Sequence, residues 1–235
     1  MKYKTSYIFM IILSFFVIFG FSQTKNPDEK PIQNQDESIV IDFDGNVYKT
    51  VKIGNQIWMA ENLKVTHFQD GTIIPQIQDD DKWQKAIQGA CCTIEIDSIN
   101  YEKTYGLLYN YYAIINKHNI CPEGWHVPTK EECMELLGYL GGFNKAGKKL
   151  KDNSSNLWII PEGEATNISG FTGLPGGGRG RKGSSGEVGY YATWWSSTSH
   201  DDDYAWHWGV YPVKSGIRAN AGHKASGFSV RLIKD

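Results

Sequence analysis

Residues 196–207 read SSTSHDDDYAWH and crowd hydroxyls, two histidines and three consecutive aspartates into twelve positions. Such groups could ligate a divalent cation or pair a serine nucleophile with a histidine base. The spacing argues against both. Zinc sites separate their ligands as in H-x-x-x-H or C-x-x-C, and carboxylates on adjacent residues of extended chain point to opposite sides. No G-x-S-x-G turn surrounds Ser196, Ser197 or Thr198 to expose a nucleophile. The stretch reads as a solvated tip between two strands, so we expect no catalytic residue, no metal and no cofactor. A second acidic run, Asp79-Asp80-Asp81, lacks the glycine and closing glutamate of a calcium loop and also reads as solvated loop.

Gly178-Arg179-Gly180-Arg181-Lys182-Gly183 spells G-x-G-x-x-G. Phosphate binding by that motif needs a helix N-terminus directly after it. The sequence that follows, SSGEVGYY, has no helical period, which leaves a basic loop suited to an acidic ligand. Four cysteines, Cys91, Cys92, Cys121 and Cys133, are disulfide candidates. Adjacent Cys91 and Cys92 are poor partners for each other, because a bridge holds its Cα atoms about 4.4–6.8 Å apart. Two full connectivities stay open, as does one bridge with two free thiols.

The elements that would position these groups are short. Val47–Ile53 and Gln56–Met59 flank Gly54-Asn55 and predict a β-hairpin. Trp83–Gly89 reads as a short helix or turn. The apolar run Tyr105–Ile115 belongs to the core, with its type open between strand and helix. After Pro128, Thr129 and Glu132 form a capping box. Cys133, Leu136, Leu137 and Leu140 then share one helical face until Gly141-Gly142. Residues 170–177, 190–197, 204–211 and 227–233 are strand candidates. In the third, Trp206, Trp208 and Val210 oppose His207, Gly209 and Tyr211, and His207 reads as a half-exposed strand residue. In the fourth, Phe228, Val230 and Leu232 point inward, Ser229 and Arg231 outward.

Lys2 and Lys4, an apolar run from Tyr7 to Phe21, and Gly20 and Ser22 before Gln23 predict a signal peptide over 1–22. A polar leader over 23–38 and one domain over 39–235 follow, with no transmembrane segment in the mature chain. Without Lys2 and Lys4 the chain has 22 basic against 26 acidic residues, a net of −4. That balance disfavours nucleic acid as a partner. We expect an exported protein, secreted or at the outer-membrane surface or in the periplasm. Twenty-five glycines, thirteen tyrosines and eight tryptophans suit a turn-rich α+β or β fold.

Six separated stretches resemble one family in order: DGNVYKTVKIGNQIWMAENLKV (44–65), YGLLYNYYAI (105–114), CPEGWHVPTKEE (121–132), ATNISGFTGLPGGGR (165–179), WWSST (194–198) and GFSVRLIKD (227–235). This is the pattern of the Fibrobacter succinogenes major paralogous domain family. The resemblance implies a domain of exported Bacteroidetes and Fibrobacteres proteins with a C-type-lectin-like α+β fold. Such a fold would have small antiparallel sheets, a main helix at about 129–140 and long glycine-rich loops. Cys92 and Cys121 match usual family positions, while Cys91 and Cys133 look additional and Leu232 stands where members often carry cysteine. The Glu-Pro-Asn, Gln-Pro-Asp and Trp-Asn-Asp triplets of calcium-dependent lectins are missing.

These observations favour a non-catalytic binding module for a surface glycan or protein ligand. Tyrosine and arginine outside the inferred core faces supply the contact candidates: Arg179, Arg181, Tyr190, Tyr211, Arg218 and Asn220. One alternative is a structural component of an outer-membrane or secretion assembly. The other is an oxidase of the formylglycine-generating type, disfavoured because residues 134–235 contain no cysteine for its copper-binding pair.

Overall fold

The Gly54-Asn55 turn does join two antiparallel strands, Val47–Ile53 and Gln56–Met59, in the computed structural model. The structure describes residues 38–235 except 97–98, 160, 162 and 213–215; the expected signal peptide, and the leader apart from Ser38, lie outside the described residues. In chain order the strands are β1 (Ile39–Ile41), β2 (Val47–Ile53), β3 (Gln56–Met59), β4 (Cys91–Cys92), β5 (Leu108–Tyr109) and β6 (Trp125–His126). Then come β7 (Gly178–Arg179), β8 (Ser185–Gly186), β9 (Ala192–Ser199), β10 (Tyr204–Val210), β11 (Ile217–His223) and β12 (Ile233–Lys234). The helices are α1 (Asp80–Gln84), α2 (Tyr101–Tyr105), α3 (Tyr111–Ile114), α4 (Lys130–Tyr139) and α5 (Ala146–Leu150). The fold is mixed α+β, mostly sheet and antiparallel. No helix among the described residues is long and apolar enough to cross a membrane.

The largest sheet runs β1-β2-β3-β12-β6, so the closing strand inserts between the first hairpin and the strand before α4. A second sheet, β11-β10-β9, carries four of the eight tryptophans. Between them lies α4, and its start follows from local chemistry: Thr129 Oγ1 accepts the Glu132 N–H (3.2 Å), while the Glu132 carboxylate accepts the Thr129 N–H (2.7 Å). That capping box satisfies donors the first turn leaves orphaned. Cys133, Leu136, Leu137 and Leu140 are all buried, as the spacing predicts. Each leucine so buried contributes about 1.5–3 kcal/mol. The helix ends where Gly141 and Gly142 take φ of 97° and 81°, a region that side chains rarely enter.

Facing α4 is an aromatic core. Phe171 meets Trp58, Trp194 and Trp208 at centroid distances of 5.9, 5.3 and 5.7 Å. Tilted or edge-on approach suits ring quadrupoles. Arg231 lies beside it, 1 % exposed, its guanidinium 4.2 Å from the Phe171 centroid. It donates from Nε and Nη2 to Asn62 Oδ1 (3.1 and 2.7 Å), an oxygen that also accepts Trp194 Nε1–H (2.8 Å). Nη1 donates to the Phe171 carbonyl. The outward placement expected of Arg231 and Ser229 is therefore corrected. Residues 227–232 run through the interior with single bridges to Arg179, Tyr109 and Trp194, buried on both sides, and only Ile233–Lys234 is regular strand.

Two further expectations change, and the structure settles the type of a third segment. Residues 170–177 form no strand, because Asn167 and Thr172 adopt φ of 48° and 54°, which turns the chain. The 79–81 acidic run is no loose loop: Asp79 caps α1, its Oδ1 accepting the Lys82 N–H (2.8 Å). That places the helix three residues ahead of the predicted Trp83–Gly89 segment. The apolar run Tyr105–Ile115 divides into the end of α2, then β5, then α3, with Gly106 and Asn110 at the breaks. Burial in two clusters explains why it showed no period.

Candidate functional site

Asp201, Asp202 and Asp203 are exposed at the tip between β9 and β10, as expected. They build the turn. The Asp201 carboxylate accepts the Asp203 and Tyr204 N–H groups (2.9 and 2.8 Å), which holds its carboxyl below the usual range. Lys224 Nζ ties the outside of the turn through the Asp201 and Asp202 carbonyls (2.7 and 3.0 Å). Asp201 Oδ1 is thus engaged by its own backbone.

No disulfide links the four cysteines, which corrects that expectation. They are all buried and free. Cys91 and Cys121 sit in one apolar cluster, Cys92 in another and Cys133 in a third under α4. Desolvation pushes every thiol up, Cys92 to about 11 and Cys121 to about 12. Neutral thiols in apolar surroundings are poor nucleophiles and poor metal ligands.

In the glycine-rich loop, β7 and β8 pair as a hairpin, with no helix N-terminus after the motif. Arg179 is 3 % exposed and fully engaged. It donates to the carbonyls of Ile77, Gln78 and Gly183 (2.6, 2.6 and 3.0 Å), pairs with Asp80 (2.5 Å) and covers the Trp83 ring (4.7 Å). Its surroundings include Asp79, Asp81 and Glu95, which repel an anion. Arg179 therefore fastens α1 to β7, while Arg181 is left exposed at the hairpin turn and Tyr190 is 46 % exposed.

The sheet β11-β10-β9 does bring candidates together. Its register sets Thr193, Gly209 and Arg218 in one cross-strand row and Trp195, His207 and Asn220 in the next. Directly paired residues project to the same face. The opposite face, with Trp194, Trp208, Val210 and Ile217, lies under α4. Toward the tip, Phe228 and Tyr111 cover Trp195 (4.6 and 5.4 Å). Toward the other end Arg218 and Asn220 are exposed. Tyr211 lies between two partners: Tyr191 stacks on it at 5.6 Å and 19°, and the Arg218 guanidinium lies 4.6 Å from its centroid. A cation over an aromatic face is attracted by the ring quadrupole. Among the described residues, no carboxylate pairs with Arg218.

Family-model comparison matches residues 51–234 to the Fibrobacter succinogenes major domain. The chain belongs to this family. No curated protein and no solved structure matches the chain. The Fibrobacter succinogenes major domain match takes in all six contact candidates and begins within β2, so β1 lies ahead of it.

Two residues of this face escaped sequence reasoning. Tyr191 gave no signal apart from its neighbour Tyr190. Thr193, 2 % exposed, has an Oγ1 without a hydrogen-bond partner. His207 Nδ1 is likewise buried and unpartnered, and burial lowers that imidazole to about 4, leaving it neutral at pH 7. The half-exposed strand position predicted for His207 holds, but its ring packs on Phe228 (4.6 Å) and Trp195 (6.0 Å). A buried polar atom without a partner costs free energy, and here two lie on one face.

Proposed function

We propose that the chain is an exported, non-catalytic binding module, with a C-type-lectin-like scaffold presenting the open face of the β11-β10-β9 sheet to a surface glycan or protein. The observation that carries this reading is the stack Tyr191, Tyr211 and Arg218, whose guanidinium is exposed and lacks a protein carboxylate. Arginine held against an aromatic loses little freedom on binding, which makes it a good contact residue. The four buried, protonated thiols favour binding over cysteine-based oxidation. A glycan array and a surface-protein pull-down, each run with wild type and Arg218→Ala, test the proposal. Ligands lost with Arg218→Ala support it; two clean negatives sink it.

A structural role in an assembly draws on a different observation. Ile39, Ile41, Phe43 and Val47 are 57 %, 52 %, 49 % and 51 % exposed beside edge strand β1. Edge strands with apolar side chains invite pairing. Stable stoichiometric capture abolished by Ile41→Lys, with Arg218→Ala harmless, would favour this second reading.

A further inference from the structure

We propose that the ligand of this face is a uronic-acid sugar, a hexuronate unit of an acidic polysaccharide, with its carboxylate on Arg218 and its ring hydroxyls on Asn220. The proposal rests on the reading of the β11-β10-β9 face as the binding surface and adds the chemistry of what it takes.

The geometry of Arg218 selects the anion. Tyr191 stacks on the Tyr211 ring and the Arg218 guanidinium also packs against it, so that ring is already partnered within the protein. What the stack offers is the edge of the guanidinium, a planar fork of N–H donors. That fork matches a carboxylate with two parallel hydrogen bonds. No Asp or Glu among the described residues fills the position.

The neighbours select a sugar over an acidic peptide. Asn220 stands two residues along β11 on the same face, about 7 Å away by strand rise, and its exposed amide can both donate and accept. A sugar ring that bears a carboxylate at one end and hydroxyls at the other bridges such a pair. Between Thr193 and Arg218 the row holds Gly209. A Cβ there would lie 2.5 Å from the Ala192 carbonyl and 3.0 Å from Thr193 Oγ1, so the strands can pack this closely only with glycine at the position. A peptide side chain would instead look for an apolar anchor pocket, and the side chains this face exposes, Arg218 and Asn220, are polar.

Calorimetry with oligogalacturonate, oligoglucuronate and oligomannuronate tests the proposal, each as free acid and as methyl ester. Neutral glucan oligomers and polyglutamate serve as comparators. At least one free acid should bind, and its ester should bind about tenfold or more weakly, since the charge-assisted bonds are lost. Arg218→Lys should lose a similar factor by keeping charge but losing the fork, and Asn220→Ala should weaken binding further in the same ligand. Both positions are exposed, so circular dichroism should stay unchanged. Failure of all three acids, equal binding of ester and acid, or polyglutamate binding as well as the best uronate overturns the proposal. If the acids fail while ligands from the array or pull-down are still lost with Arg218→Ala, only the uronate assignment falls. If captured ligands ignore Arg218→Ala, the whole face is misassigned.

Discussion

Asn62→Ala removes an oxygen on which three buried donors converge: Arg231 Nε and Nη2 at 3.1 and 2.7 Å, and Trp194 Nε1 at 2.8 Å. It also removes the amide donated to the Tyr105 carbonyl at 2.8 Å. Arg231 keeps the Phe171 carbonyl and a long contact to Thr172, so its charge is not wholly stranded. An indole N–H and part of a guanidinium lose their acceptors inside the aromatic core. Each orphaned donor costs about 1–3 kcal/mol, the charged one more, for a total of about 3–5 kcal/mol. Against a global stability of about 5–15 kcal/mol, that should lower the melting temperature by roughly 10–15 °C. Asn62→Asp keeps the oxygen and places a counter-charge 2.7 Å from Nη2, losing the amide's bonds to the Tyr105 carbonyl and, at 3.3 Å, to Ser229 Oγ, so its cost should stay near 1–2 kcal/mol. Urea unfolding followed by tryptophan fluorescence and circular dichroism reads both variants. A cost under about 1 kcal/mol for Asn62→Ala, or Asn62→Asp proving worse than Asn62→Ala, would refute the argument.

Thr129→Ala should destabilise by about 1 kcal/mol in the same assay, because it breaks one half of the α4 capping box. His126 should make stability depend on pH. Burial pulls its imidazole down, but hydrogen bonds to Asp235 and Glu132 outweigh that and raise it above 6.5. A base raised on folding stabilises fully below its unfolded value and loses that contribution as pH climbs through the raised one. The gap in urea midpoint between wild type and His126→Gln should therefore be larger at pH 5.5 than at pH 8.5, and an unchanged gap counts against the ion pairs. Thiol titration should find the four cysteines inert in the native protein and all four reactive in denaturant. Fewer than four in denaturant without reductant would reveal a bridge.

What the sequence made legible was local. The hairpin at Gly54-Asn55 and the helix from Thr129 to Leu140 are written in residues a few positions apart, through turn chemistry, capping and a 3.6-residue period. The tip at Asp201–Asp203 was legible for the same reason. Long-range partners were not. Arg231 looked outward because strand alternation says so, yet Asn62 and the Phe171 carbonyl take it inside. Arg179 looked like a ligand contact until Asp80 and the Ile77 and Gln78 carbonyls claimed its donors. Of the contact candidates, the register brings Tyr211, Arg218 and Asn220 to one end of one face, but Tyr191 joins only through a stacking no spacing announces. The cysteines followed packing, Cys91 and Cys121 into one apolar cluster and Cys92 and Cys133 into two others.

The placement of β12 also sets the order in which the molecule can form. Ile233 pairs with Trp58 on one side and with His126 on the other. Until Ile233–Lys234 are in place, β3 and β6 are two open edges with nothing between them, and the largest sheet holds only β1, β2 and β3. Closing a loop of nearly the whole described chain is entropically costly and kinetically late. Loss of the Ile233–Lys234 pairing would therefore leave β3 and β6 without their shared partner, however complete the rest of the fold.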